Sequence, residues 1–342
     1  MTQHHTRTIA AGNGPDGNRG GSGWAGRACG GRPGPLVALL LALASAGCPQ
    51  SMRPYVAPPR VLPSAATLNQ VIDAVHRQTA VVQTLRAEDA TLQVPGAPPL
   101  RATLLLERPR RFRLQASTLI TGAELDVGIN DELFWLWMRQ NPDPYIYFCR
   151  HEQFCDSAAR NLVPVEPEWL LSALGLVSFE PEGEHAGPYV GRNGTLEVRS
   201  RIQSACGPLY RVVVIDGATA LVLQQHLYNE QGMRLASAVA SGHRRDPASG
   251  VWLPGKVEIH CPGTQLNLTI DLGRVRVNEP ISLATQPWMM PRLPGWTPLD
   301  LADPNVQWQQ TPLPVPAAYP ERSPPPTAQR TPIALPNAPR KY

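Results

Sequence analysis

The apolar and polar positions of this chain alternate with a period of two over most of its length, which is the pattern of half-buried β-strands. Ala90, Leu92 and Val94 face away from Asp89, Thr91 and Gln93, and the turn PGAPP (95–99) closes a hairpin. Ala102, Leu104 and Leu106 then share a face, and Pro109 ends that strand because it has no N–H for a central ladder. Phe112, Leu114 and Ala116 alternate with Arg111, Arg113 and Gln115, and Ala123 to Ile129 alternate again. The run Leu133–Met138 (LFWLWM) is apolar on both faces, so both sides of that strand must be covered: one by a helix, the other by core or ligand. Tyr145 to Cys149 continues the meander, and short strand patterns resume over 196–278 with Gly-containing turns between them. Regularly spaced short strands without β-α alternation predict an all-β sandwich or barrel and argue against a parallel α/β enzyme fold.

Two segments break the period. Leu68, Val71, Ile72, Val75, Val82 and Leu85 fall at three-and-four spacing, predicting an amphipathic helix that starts near Ala65 with Ser64 or Thr67 as its cap. Residues 167–173 (PEWLLSA) predict a second, short helix with Pro at its first turn and Gly175 beyond its end. Trp169, Leu170, Leu171 and Leu174 give it more apolar surface than its length requires, as in a lid or a plug. Residues 180–195, rich in Gly and Glu, read as a loop.

The ends differ from the body. Arg27 and Arg32 precede an apolar run from Leu36 to Ala46, and small residues lead to Cys48, the order of an export signal. That run is shorter than the about 20 residues a membrane-spanning helix needs. The signal region spans 1–47, long enough that the true start lies further along. Ala44 to Cys48 resembles the lipobox of bacterial lipoproteins, which implies lipidation (palmitate included) at Cys48, and Pro49 rather than Asp after it fits the outer membrane facing the periplasm. Residues 48–64 form a Pro-rich tether, 65–290 the folded domain, 291–310 a partly docked extension, and 311–342 a Pro-rich disordered tail.

Composition removes some functions. Net charge is +4 with 17% charged residues, which leaves no footprint for nucleic acid. Arg110, Arg111 and Arg113 beside Arg108 form a basic cluster, either a solvated strand face or a contact for anionic lipid head groups. Cys149, Cys155, Cys206 and Cys261 in an exported chain predict two disulfides, with Cys149–Cys155 and Cys206–Cys261 preferred among three pairings. Cys149, His151 and Cys155 with Glu152 or Asp156 do not have standard zinc spacing, and no His stands beside a nucleophile motif. A metal or hydrolase reading is the minor alternative; no cofactor and no catalytic residue are expected.

The order helix, hairpin, strand ending in Arg108-Pro109, Phe112, then the aromatic strand Leu133 to Trp137 resembles the LolA and LolB lipoprotein-localisation families and their superfamily of periplasmic lipid-binding proteins. That resemblance implies a mainly β (α+β) fold, an unclosed, strongly curved antiparallel β-barrel of about 11 strands with an N-terminal amphipathic helix and a short lid or plug helix. It implies a non-catalytic role, binding lipid or lipoprotein acyl chains in an apolar cavity, with a structural or interaction module that binds an envelope protein partner as the other reading. Leu104, Leu106, Phe112, Phe134, Trp135 and Trp137 become the expected cavity wall. Arg108, Trp169 and Leu170 become the expected lid control.

Overall fold

The computed structural model describes residues 57–181 and 183–306. The expected signal region, Cys48 and the Pro-rich tail lie outside the described residues. Seventeen strands are present: β1 Thr84–Gln93, β2 Leu100–Glu107, β3 Arg111–Thr118, β4 Gly122–Ile129, β5 Leu133–Met138, β6 Tyr145–Arg150, β7 Glu184–Val190, β8 Thr195–Ser204, β9 Gly207–Asp216, β10 Val222–Tyr228, β11 Arg234–Ser241, β12 Arg244–Arg245, β13 Trp252–Leu253, β14 Lys256–Cys261, β15 Leu266–Asp271, β16 Val275–Val277 and β17 Thr297–Asp300. Among the described residues the α-helices are α1, Leu68–Thr79, and α2, Trp169–Ala173.

Fifteen strands form one sheet in the order β17-β6-β5-β4-β3-β2-β1-β15-β14-β11-β10-β9-β8-β7, with β16 beside the first half of β1. Neighbours are antiparallel except β17, which runs parallel to β6. The two ends, β7 and β17, do not pair, so the sheet is an unclosed barrel, as the resemblance implied. The sheet has more than the expected 11 strands, and among the additional ones are both edges, which were hidden in sequence. β7 contains Gly187-Pro188 and β17 contains Pro298, and proline is tolerated in a sheet where its missing N–H has no ladder partner, at an edge. Residues 184–190, expected in a loop, are therefore an edge strand.

The inner face is built from cross-strand rows. Leu85, Leu106, Phe112, Ile129, Phe134 and Cys149 stand opposite one another across β1 to β6. Every one of them is buried. A bulge between Ala87 and Ala90 keeps both alanines inward on β1. Thr67, one of the two expected caps, caps α1 through a capping box with Gln70, and the helix starts at Leu68 rather than near Ala65. The helix ends at Thr79, so Leu85 of the predicted stripe belongs to β1. Its buried side, Val71, Ala74 and Val75, packs with Val198, Val213, Ile215 and Val222 of β8 to β10, not against β5.

The covering of β5 is supplied from further along the chain. Trp135, Trp137 and Ile146 pack with Met290, Leu293 and Trp296, so the segment before β17 lies over the outer face of β5 and β6. Beneath it, Arg113 places Nε and Nη2 on the two carboxylate oxygens of Asp126 at 3.2 and 2.7 Å. Gln115 Nε2 and Trp135 Nε1 donate to the same carboxylate, and Arg113 Nη1 donates to the Pro287 carbonyl at 2.9 Å. This buried pair is thus fully hydrogen-bonded, the condition under which such a pair is tolerated. Gly128 leaves the space that the Trp135 ring occupies: a Cβ there would lie 1.9 Å from the indole.

Candidate functional site

The site is the inner face of the half-barrel and the segment that fills it. Leu104, Leu106, Phe112 and Phe134 all belong to one buried cluster, together with Trp169, Leu171 and Leu174 from α2 and its C-terminal turn. The short helix therefore shares one core with the expected wall and packs beside β11, and the interior is filled by the chain's own side chains. Leu170 lies partly buried at the margin of that cluster. Trp135 and Trp137 depart from expectation. The side-chain period of a strand is two, so with Phe134 inward both tryptophans point outward and line no inner cavity; they are the hydrophobic floor under the 290–296 segment.

The disulfide expectation is also corrected. Cys155 pairs with Cys206, at a Cα–Cα distance of 5.0 Å, while Cys149 and Cys261 are free and buried. Cys149 points into the core from β6 with its Sγ 3.4 Å from Ser157 Oγ, while Cys155 reaches across to the β8–β9 turn. Cys261 sits on β14, three strands from β9, which at about 4.8 Å per strand is about 14 Å and beyond disulfide reach. The bond ties the segment after β6 to the β8–β9 turn. Burial raises the Cys149 thiol and pushes Cys261 up to about 11, so neither is a nucleophile at neutral pH. The Cys149, His151 and Cys155 metal grouping does not assemble; Cys155 and Cys206 instead lie with Glu166, and both sulfurs are committed to the disulfide. Glu166 accepts from the Ala205 N–H at 2.6 Å.

Polar groups hold the plug. Arg108 Nη2 donates to the Leu176 carbonyl at 3.2 Å, just past α2. Burial lowers the affinity of this half-buried guanidinium for its proton. Gln225 Nε2 donates to the Ser172 carbonyl. Glu168, at the start of α2, lies 3.3 Å from Arg110 Nε and 3.1 Å from His151 Nδ1. His151 Nε2 is 2.9 Å from the Asn130 carbonyl oxygen, which only an N–H can satisfy.

The basic cluster is spent on these and neighbouring pairs. Arg110 meets Glu168, Arg111 meets Glu107 and Asp131, and Arg113 meets Asp126. Arg110 and Arg111 stay partly exposed in these pairs, while Arg113 is buried. Sequence reasoning missed two apolar residues at the β3–β4 turn: Leu119 and Ile120 are 81% and 95% exposed. The signal was present, since Thr118 and Thr121-Gly122 mark a turn in which two large aliphatic residues have no core to enter. A separate open groove of about 410 Å³, lined by Gln93, Glu258, His260, Asn267 and Thr269 among others, includes none of the expected wall residues.

No protein-family profile and no curated protein matches the chain. Solved structures do. A domain described as an outer membrane lipoprotein-sorting protein, from Vibrio parahaemolyticus, is 12% identical with a TM-score of 0.44, over 62% of this chain and 93% of that one. A LolA superfamily protein from Nitrosomonas europaea is 9% identical with a TM-score of 0.42, over 66% and 99%. A DUF1329 family protein from Desulfovibrio piger is 11% identical with a TM-score of 0.43, over 64% and 95%. With TM-scores below 0.5 these likenesses carry no argument, and the functional reading rests on the residues of this chain.

Proposed function

We propose that this protein is a non-catalytic binder of acyl chains, from lipids or lipoproteins, in the bacterial cell envelope, and that the plug formed by α2 and residues 174–180 gives way to the ligand. The observation that carries this is the pairing of an apolar inner wall, Leu104, Leu106, Phe112 and Phe134, with a plug whose own links to the barrel are noncovalent. The wall and the plug are complementary by burial alone. An acyl chain satisfies the same wall, each buried CH₂ contributing about 0.8 kcal/mol. The disulfide fixes one end of the segment at Cys155 and β7 fixes the other, so residues 163–180 form a tethered unit that can leave without unravelling the sheet.

Arg108 is the proposed control of that opening. Its bond to Leu176 joins the end of β2 to the plug, and breaking it frees the plug's C-terminal end. Leu119 and Ile120 give the barrel an apolar tip for a bilayer surface, and lipidation at Cys48 would hold the domain at the outer membrane on the periplasmic side.

Native mass spectrometry of the full chain after gentle extraction tests the reading. Co-purification of about one equivalent of an acyl lipid is the expected result, by analogy with concave apolar sites that bury most of their ligand. A chain that stays lipid-free after incubation with lipopeptide, while retaining a protein partner, would favour the interaction-module reading instead.

A further inference from the structure

Residues 176–180 are held by one side chain for each successive backbone group. Arg108 donates to Leu176 O, Thr79 Oγ1 to Val177 O at 2.9 Å, and Arg211 Nη2 to Ser178 O at 2.8 Å. The Phe179 N–H donates to His76 Nε2 at 2.7 Å, and His185 Nε2 donates to Glu180 O at 2.8 Å. His185 Nδ1 then accepts from the Ser200 hydroxyl at 2.8 Å. Four of these five side chains are basic, and three of them surround the Phe179 ring. The His76 and His185 rings lie 5.9 and 5.4 Å from it, and the Arg211 guanidinium 5.2 Å.

Arg211, like Arg108, has no counter-charge within ion-pair distance among the described residues, and it is the more deeply buried of the two. It is only 7% exposed and, among the described residues, forms no ion pair. Its Nε is buried with no hydrogen-bond partner. The contrast with Arg113 in the same molecule is direct. Arg113 presents its Nε and Nη2 edge to both oxygens of Asp126. Arg211 presents Nη2 to one carbonyl and leaves Nε empty. Glu180, the acid that acts on it, is exposed and beyond ion-pair distance. A buried guanidinium with half of its bidentate edge unused has a donor free for the oxygen of an oxyanion. Desolvation draws this group down to about 10, as expected for a cation whose surroundings supply little compensating charge, and it stays protonated at neutral pH.

We propose that Arg211 receives the single oxyanion, carboxylate or phosphate, of an acidic acyl lipid whose head takes the place of Phe179 and whose chains take the place of α2. This inference rests on the acyl-binding reading and adds the chemical class of the ligand's head. Neutral acyl compounds would leave the Nε edge empty and bind more weakly.

The test uses the full chain with four probes: palmitate and hexadecanol, and dipalmitoyl phosphatidic acid and dipalmitoylglycerol, with affinities read by native mass spectrometry and competition. At least one acidic probe is expected to bind about tenfold or more tightly than its neutral counterpart, the factor for one charge-assisted hydrogen bond. Preference for palmitate alone identifies a carboxylate head, and preference for phosphatidic acid alone a phosphate head; both support the proposal. Arg211→Met should abolish the preference while hexadecanol or dipalmitoylglycerol still binds. If Arg211→Met loses its unfolding transition, Arg211→Lys is read instead: it keeps charge and loses the fork, and the preference should fall at least threefold. Equal binding of acidic and neutral probes, or a preference unchanged in the variants, overturns this inference and leaves the acyl reading standing. Failure of all four probes to bind overturns both.

Discussion

Arg108 and Leu176 are joined by a 3.2 Å hydrogen bond from the guanidinium to the main-chain carbonyl, across 68 residues of sequence. This bond links the strand that ends at Pro109 to the chain leaving the plug helix. A charged donor to a part-buried carbonyl contributes about 1.5–3 kcal/mol. Arg108→Ala should therefore raise amide hydrogen exchange over residues 174–179 by about tenfold or more, since each 1.4 kcal/mol is a factor of ten. Unchanged exchange in that segment would show that Arg108 does not restrain it.

The disulfide should carry stability rather than redox chemistry. Cys155 and Cys206 are 51 residues apart, a loop for which chain entropy predicts about 4 kcal/mol. Cys155→Ser with Cys206→Ser should lower the denaturant midpoint accordingly. Peptide mapping should recover the Cys155–Cys206 link, and Cys149 and Cys261 should resist iodoacetamide until the protein unfolds. Rapid native labelling of either would contradict their burial.

Gly128 is a packing requirement of the outer face. With a Cβ, it would meet the Trp135 ring at 1.9 Å and displace the indole whose Nε1 donates to Asp126. Gly128→Ala should cost about 1–3 kcal/mol, the range for overpacking, with a change in the near-ultraviolet circular dichroism. Trp135→Phe, which removes only the donor and part of the ring, should be milder.

Acid should loosen the plug. His76 sits below its ordinary 6.5, chiefly by burial, with Arg108, Arg211 and His185 also opposing its protonation and Asp73 favouring it. His226 and His243 are likewise lowered, chiefly by burial. Histidines lowered in the folded state bind more protons when unfolded. Their contribution is present above the unfolded value of 6.5 and declines as pH falls below it towards the folded values. At His76 the protonated ring can no longer accept the Phe179 N–H. The urea midpoint should fall between pH 7.5 and pH 5.5, and less so in His76→Gln. An unchanged midpoint would contradict the assignment.

The exposed tip separates membrane contact from folding. Leu119→Glu with Ile120→Glu should leave stability within about 0.5 kcal/mol, as for other surface changes. The same variant should reduce sedimentation with phospholipid vesicles. Equal sedimentation would remove the tip from the functional account.

Much of this architecture was legible because period two survives wherever one face of a strand is buried. The inner positions Leu104, Leu106 and Phe112 follow from alternation alone, and 167–173 stands out by its surplus apolar surface. Alternation also places Trp135 opposite in direction to Phe134, but a run apolar on both faces does not say which side is the cavity. That needed the covering segment at 290–296, more than a hundred residues away and without periodicity. The edge strands β7 and β17 were obscured by the prolines that edges permit. The Cys155–Cys206 bond depends on where a loop crosses the rim, and Arg211 is one alternating residue until the main chain of 176–180 is laid over it.

Hydrogen–deuterium exchange of the full chain with and without a triacylated lipopeptide tests the exchange of plug for acyl chain most directly. The account predicts faster exchange over residues 166–180 on ligand binding, with the β1 to β6 amides unchanged or more protected. A bound lipopeptide that leaves residues 166–180 as protected as before would contradict it.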